Sequence, residues 1–268
     1  MKNWRKYNGS IIPLTPPHIE VDTIGIEKKI KEENVFFARW TSDFDCKEEK
    51  EFWYVICDYK LDISDYSKNT RSKIRRGLKN CHVRLVSKSE IIANGFDAYN
   101  AAFLNYRSHF HPKTEREFKD EIINLSNEWE FWAIYIERKM IGFSQNRVIG
   151  DYCDYSTIKF HPDYLRFYSS YALFYTMNQY YLNEKNFQYV NDGSRSISHD
   201  TNIQEFLIQK FKFRKAYCTL NIIDSYKIKL LIYVFFSFRL ILSMLNFGFF
   251  IKLNILLNQE KIRRSYER

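Results

Sequence analysis

Between Phe187 and Leu220 the chain gathers its chemistry-bearing side chains in one stretch, FQYVNDGSRSISHDTNIQEFLIQKFKFRKAYCTL. Asp192, Ser194, Arg195, Ser196, Ser198, His199 and Asp200 crowd a polar turn around Gly193, the only glycine between Asp151 and Phe247. His199 is the best base there, because an imidazole titrates near neutrality; a surface or capping histidine beside Asp200 is the alternative. Asp192, directly after an apolar run, can accept hydrogen bonds from an amine or form an Asx turn over Gly193. Ser194 and Ser196 can donate to a carbonyl or cap a helix. Arg195 can hold a carboxylate or phosphate in a bidentate grip, or make a surface salt bridge. These residue types suit proton transfer beside a polarised carbonyl. No GxSxG is present, so the serines do not form a hydrolase elbow, and Cys218 reads as core.

Such a turn needs rigid neighbours. Phe187 to Val190 reads as a strand, Asn202 opens a helix with Ile203, Phe206, Leu207 and Phe211 on one face, and Ala216 to Ile223 reads as a closing strand. Strand ends and helix starts leave backbone donors free for a ligand. Upstream, Phe36 to Trp40, Phe52 to Asp58, Val83 to Val86, Glu130 to Glu137, Met140 to Ile149 and Tyr152 to Phe160 read as strands. Ser89 to Phe110, Thr114 to Ser126 and Tyr168 to Asn183 read as helices, with a capping box at Thr114/Glu117 and Ser169 or Ser170 as the cap of the third. Met1 to Glu20, with Pro13, Pro16 and Pro17, is expected to be irregular, and a charged helix or loop is expected between Trp40 and Phe52.

The 268 residues suffice for a large core in one or two domains. Aromatic residues make up 18%, which excludes low-complexity disorder, while 8 Gly and 5 Pro argue against a glycine-loop nucleotide fold. A net charge of +9 favours phosphate-bearing substrates, nucleic acid or an anionic membrane face. Asp62 to Asn80 concentrates that charge in Lys68, Arg71, Lys73, Arg75, Arg76 and Lys79; Arg76 and Lys79 share a helix face. It is either a solvated basic helix or a wall for phosphates. Five scattered cysteines without CxxC read as free thiols in a reducing compartment, and no metal site is indicated. No secretory signal is visible, which makes the cytoplasm the expected location.

The element order, with GFSQNRVIGDYCDYSTIKFHPDYLRFYSSYALFYTMNQYYLN and NDGSRSISHDTNIQEFLIQKFKFRKAYCTL, resembles the GNAT acyl-CoA N-acyltransferase superfamily in its divergent FemAB-type, BioF2-like branch. The resemblance implies an α/β (α+β) fold with a mixed, mainly antiparallel central sheet flanked by helices. It divides the chain into an N-terminal extension, 1–82, akin to a degenerate half-copy; a core, 83–223; and an apolar helical tail, 224–268. It implies acyl transfer from acyl-CoA (acetyl-CoA) to an amine, on an amino-sugar-like or envelope-precursor acceptor. His199, Asp192 and Ser194 would be catalytic. Arg166, Phe167, Tyr168, Ser169, Ser170 and Asn202 would bind the cofactor; Tyr155, Arg195, Arg76 and Lys79 would bind substrate. The superfamily's glycine-rich pyrophosphate loop is replaced by DYLRFYSSY; Ile208 stands where a general-acid tyrosine is usual, and Lys212 where a glycine is. FemAB-like transfer from a charged tRNA is the second reading, with Lys68 to Lys79 as the footprint. A non-catalytic binding module is the third.

Leu230 to Leu257 is the most apolar stretch, with Arg239, Ser243 and Asn246 as a narrow polar stripe on one helix. A central Arg costs about 2.5–3.5 kcal/mol on insertion, against roughly 0.3–0.6 returned per Leu, Ile or Phe. A helix or hairpin lying on an anionic inner leaflet fits the basic flanks better than a span; a hairpin packed on the protein's own core or on a second subunit is the alternative.

Overall fold

The computed structural model describes residues 4–104, 111–197, 202–245 and 247–265. The strands are β1 (Trp4–Tyr7), β2 (Ser10–Pro13), β3 (Phe37–Cys46), β4 (Trp53–Cys57) and β5 (His82–Val86). They continue as β6 (Trp129–Ile136), β7 (Lys139–Ile149), β8 (Tyr152–Phe160), β9 (Tyr189–Ser194) and β10 (Arg214–Asp224). The helices are α1 (Ile26–Glu32), α2 (Lys68–Asn80), α3 (Lys88–Asn94), α4 (Phe96–Leu104) and α5 (Glu115–Ile123). After them come α6 (Ser169–Asn178), α7 (Asn202–Phe211), α8 (Tyr226–Phe235), α9 (Arg239–Leu242) and α10 (Gly248–Arg264). They form a mixed α/β fold with a mainly antiparallel sheet flanked by helices. Chain contacts group it into two compact units. One comprises Met1–Tyr54, Ser194–Thr201 and Lys215–Arg268; the other comprises Val55–Gly193 and Asn202–Arg214.

In the first unit the strand order is β1-β2-β3-β10. The N-terminus is irregular only from Leu14 to Glu20; before that, β1 and β2 form an antiparallel hairpin. Its turn is Asn8-Gly9, both at positive φ (47° and 76°), a dipeptide that matches the twist of a two-residue hairpin. Pro13 only ends the second strand. Of the segment after Trp40, Thr41 to Cys46 is strand, since β3 runs on against β10, while the Glu- and Lys-rich Lys47 to Glu51 is the expected loop. Ile26 and Ile30 of α1 close a core with Trp4, Ile11, Val35 and Ala38. The tail does not form one long helix. Phe247 is extended, Gly248 stands at φ 50°, and α10 starts afresh. Ile262 of α10 packs with Phe52, Cys218 and Leu220. No helix among the described residues is long and apolar enough to cross a membrane. Asn246 of the expected polar stripe lies outside the described residues.

In the second unit the order is β4-β9-β8-β7-β6-β5. Alternation along β6 sends Phe131, Ala133 and Tyr135 into a core with Ile91, Tyr99, Phe118 and Phe143, under α3, α4 and α5. Trp132 points to the opposite face and donates to the Tyr181 hydroxyl at 3.0 Å. The helix expected over 89–110 breaks at Gly95 into α3 and α4. A side chain there would come within 2.8 Å of the Ile91 carbonyl and 3.2 Å of Phe118. The Thr114 capping box is present, with Glu117 N–H donating to the threonine hydroxyl and Thr114 N–H to the Glu117 carboxylate. The helix expected over 168–183 is α6 followed by a π-helical turn, Gln179–Glu184. Gln179 and Asn183 there both donate to the Leu61 carbonyl.

Candidate active site

In the second unit the registered pairing of β8 with β9 ends beside Asp192. β8 and β9 run parallel for three residue pairs, Tyr152↔Tyr189, Cys153↔Val190 and Asp154↔Asn191. β8 then continues to Phe160 without a further registered partner from β9. Both strands have a local reason to part. Asn146 faces Tyr155 and Gln145 faces Thr157, so Ser156 is an extra residue that bends β8. On the other side Gly193, inside β9, takes φ 94°, a conformation open to glycine.

Asn191 fastens the last pair. It is buried, its amide nitrogen donates to the Tyr152 hydroxyl (3.0 Å) and to Asp154 Oδ1 (3.1 Å), and its Oδ1 accepts from Gly193 N–H (2.9 Å). The Asx turn weighed for Asp192 thus belongs to Asn191. That leaves the Asp192 carboxyl half-buried, one residue beyond the last registered pair. Burial pushes its proton affinity well above the ordinary carboxylate value of 3.8, and the charge of Asp154 adds to the effect. Gln204 of α7 reaches the Gly193 carbonyl at 3.4 Å and ties helix to turn.

The start of α6 and the basic helix α2 come together. Tyr168, in the left-handed region (φ 61°), precedes the helix, and the first helical hydrogen bond is Ala172 N–H to its carbonyl at 3.1 Å. The N–H groups of the first turn before Ala172 are therefore the orphan donors of a helix start. Neither Ser169 nor Ser170 is the cap, because that position falls to Tyr168, with no side-chain cap bond. Ser169 is fully buried, backbone included, with its hydroxyl toward the Tyr164 carbonyl. Gly77 lets α2 approach: a side chain there would lie 2.5 Å from the Tyr168 carbonyl. The Arg76 guanidinium sits 4.7 Å from the Tyr168 ring centre and Lys73 Nζ 5.4 Å from that of Tyr171. Arg166 lies over the Phe167 ring at 5.1 Å, and Lys79 is exposed in the last turn of α2.

Other expected residues fall elsewhere. Tyr155 is buried among Phe174, Tyr181 and Phe213, with its hydroxyl donating to Asn178 at 2.8 Å. That is a core position, not one facing a cleft. In the first unit Arg195 is engaged: its guanidinium pairs with Glu51 at 2.8 Å and covers the Trp53 ring at 4.7 Å. The same arginine holds the Glu51 carboxyl below its usual value. Ser194 ends β9, half-buried, and Asn202 is the exposed first residue of α7. His199, with Ser198 and Asp200, lies outside the described residues.

Lys212, standing where a glycine is customary, takes φ 61°, and half-buried Ile208 stands on α7 where a tyrosine is usual. Asp154 and Gly77 carry no expectation from the sequence, and Asn191 only that of ending its strand. Their signals were present: an acid inside the aromatic strand YCDY, an Asn one residue before an Asp, and a glycine inside a helix. Among the described residues no group of three or more His, Cys, Asp and Glu is placed to hold a metal ion. A cleft of about 390 Å³ in the first unit, lined by Ile222, Asp224, Lys229, Tyr233, Glu260 and Arg263 among others, contains none of the expected site residues.

No protein-family model and no curated protein sequence matches the chain. Solved structures do. FemX matches over 80% of this chain and 81% of its own, with a TM-score of 0.55 at 10% identity. The C-terminal DUF2156 domain of a putative lysylphosphatidylglycerol synthetase from Agrobacterium fabrum matches over 84% and 81%, with a TM-score of 0.51 at 12% identity. The ribosomal-protein-S18-alanine N-acetyltransferase of Escherichia coli matches over 39% of this chain at a TM-score of 0.30 and 19% identity; the chain spans 61% of its length. At these identities the likeness is one of fold alone: the mixed α/β architecture is the one seen in FemX and the DUF2156 domain, consistent with a GNAT-like fold.

Proposed function

We propose that the chain transfers an acyl group from a phosphate-bearing thioester, acyl-CoA, to an amine on an amino-sugar-like acceptor. The observation that carries this reading is the parting of β8 and β9 after Asp154 and Asn191, directly beside a carboxyl with raised proton affinity. A thioester laid along the freed edge of β8 would present its carbonyl to strand N–H groups. Its phosphates would meet the first turn of α6, flanked by Arg76 and Lys73. The amine nitrogen attacks the carbonyl carbon, its proton passes to Asp192, the C–S bond breaks, and the thiolate leaves to be protonated.

Calorimetry of the full chain with CoA and acetyl-CoA tests the donor. Binding is expected, weakened by Arg76→Ala, and no heat with either ligand would overturn the reading. The roles assigned from the sequence to Ser194 and His199 are checked alongside by Ser194→Ala and His199→Ala, each expected to lower the rate without loss of donor binding. One observation favours a second donor: α2 presents Arg75, Arg76 and Lys79 to solvent, a footprint that charged tRNA would also fit. Retention of charged tRNA that falls as salt rises would select the aminoacyl-tRNA reading instead.

A further inference from the structure

The tail carries more apolar surface than its own core uses. α8, α9 and α10 pack on one another around Leu242, Leu253 and Leu257. Asn254 donates to the carbonyls of Leu242 (2.9 Å) and Leu245 (3.1 Å), locking the turn that follows α9. With that core closed, Tyr233, Leu240 and Met244 remain 82%, 72% and 80% exposed, and Phe238, Ile241 and Phe247 are each more than half exposed. Single exposed apolar residues are ordinary, but so many within one short segment are not.

The charge on the same segment has one sign. Between Ser225 and Gln259 there is no Asp or Glu, while Lys227, Lys229, Arg239 and Lys252 are all present. The three lysines are exposed. Arg239 folds back on the Phe236 carbonyl (3.2 Å) and ring (4.6 Å). Of the flanking carboxylates, Asp224 is half-buried and Glu260 is already held by Arg263 and Arg264, at 2.8 and 2.7 Å. A second copy of this chain would set cations against cations, whereas an anionic bilayer offers negative headgroups at its surface and acyl chains just beneath.

We propose that this face docks on an anionic lipid bilayer. Phe238, Leu240, Ile241, Met244 and Phe247 would sit at the level of the upper acyl chains, and Lys227, Lys229 and Lys252 at the headgroups. The helices lie in the interface, and none crosses it. This inference stands apart from the acyl-transfer reading, and either can fail alone.

The test is flotation of the full chain with vesicles of phosphatidylcholine, with and without phosphatidylglycerol. Binding to the mixed vesicles is expected, falling with salt and by about fivefold for each of Lys227→Gln, Lys229→Gln and Lys252→Gln. The triple variant Leu240→Ser/Ile241→Ser/Met244→Ser, altered only at exposed positions, is expected to keep its melting temperature and lose flotation. Failure to float with phosphatidylglycerol vesicles would overturn the proposal. So would equal flotation on phosphatidylcholine alone, or a dimer in light scattering that the triple variant dissociates.

Discussion

A carboxyl that must relieve an amine of its proton works best when its own proton affinity is raised toward the operating pH. Burial and the neighbouring charge of Asp154 do this for Asp192. Asp192→Asn is expected to lower kcat by about 10²-fold or more. The parent's rate should climb with pH through a midpoint above 3.8, a limb the variant lacks; steady-state rates across pH check both. Asp224 offers a separate, stability-based measurement. Burial and Glu260 raise its carboxyl from 3.8 to about 6. The folded state therefore holds its proton where the unfolded chain has lost it, so the ionised form opposes folding and stability falls as pH rises from about 4 to about 6. Asp224→Asn is expected to add up to about 2 kcal/mol above pH 6, after allowance for partial solvent screening, and nothing below pH 4. Urea unfolding at the two ends of that range reads the difference.

At the level of elements, the approach of α2 to the start of α6 decides whether cations can stand beside the helix N-terminus. Gly77 permits it, and the atom a side chain would strike is the backbone carbonyl of Tyr168, which has little room to give way. Gly77→Val is expected to cost about 1–3 kcal/mol and to weaken donor binding beyond its effect on stability, because Arg76 and Lys73 move with the helix. Thermal melts and calorimetry on the same variant separate the two effects. The pairing of β8 with β9 is the complementary case. Three registered pairs hold the strands, and the pairing ends two residues before the bulge at Ser156 and the left-handed glycine at 193. Both features were readable as residues but not as a geometry. Nothing in YCDYSTIKF announces that Ser156 lacks a partner, since a bulge is defined by the register of the strand opposite.

For the molecule as a whole, a charge of +9 is expected to make the affinity for the proposed CoA donor salt-dependent. CoA at about 100 times its dissociation constant is expected to stabilise the folded chain by about 2.7 kcal/mol. The resulting rise in Tm is roughly 5–10 °C, shrinking when ionic strength rises at fixed CoA. A thermal shift series in CoA and salt measures it, and a shift indifferent to salt would remove phosphate recognition from the account. The two units also show why chain order is a poor guide here. Val55–Gly193 carries α2, whereas the first 54 residues group with β10 and the tail.

The sequence by itself determined the elements whose signals are local. The hydrophobic period set the strands from β5 to β8 and the helix after Asn202, and Thr114 with Glu117 set a capping box. The turn expected at Gly193 falls later, because β9 runs through Ser194. Lys212 in a left-handed conformation is consistent with the glycine that the resemblance places there. Tertiary structure decided what depends on partners far along the chain. It made Asp154 the neighbour of Asp192, put Tyr155 in the core and bound Arg195 to Glu51. It also brought Arg76 to the start of α6 and left the outer face of the tail uncovered. Local signals are written within a few residues of one another. A carboxyl's proton affinity and an arginine's availability are set by groups 38 and 144 positions away, and only the folded chain supplies those.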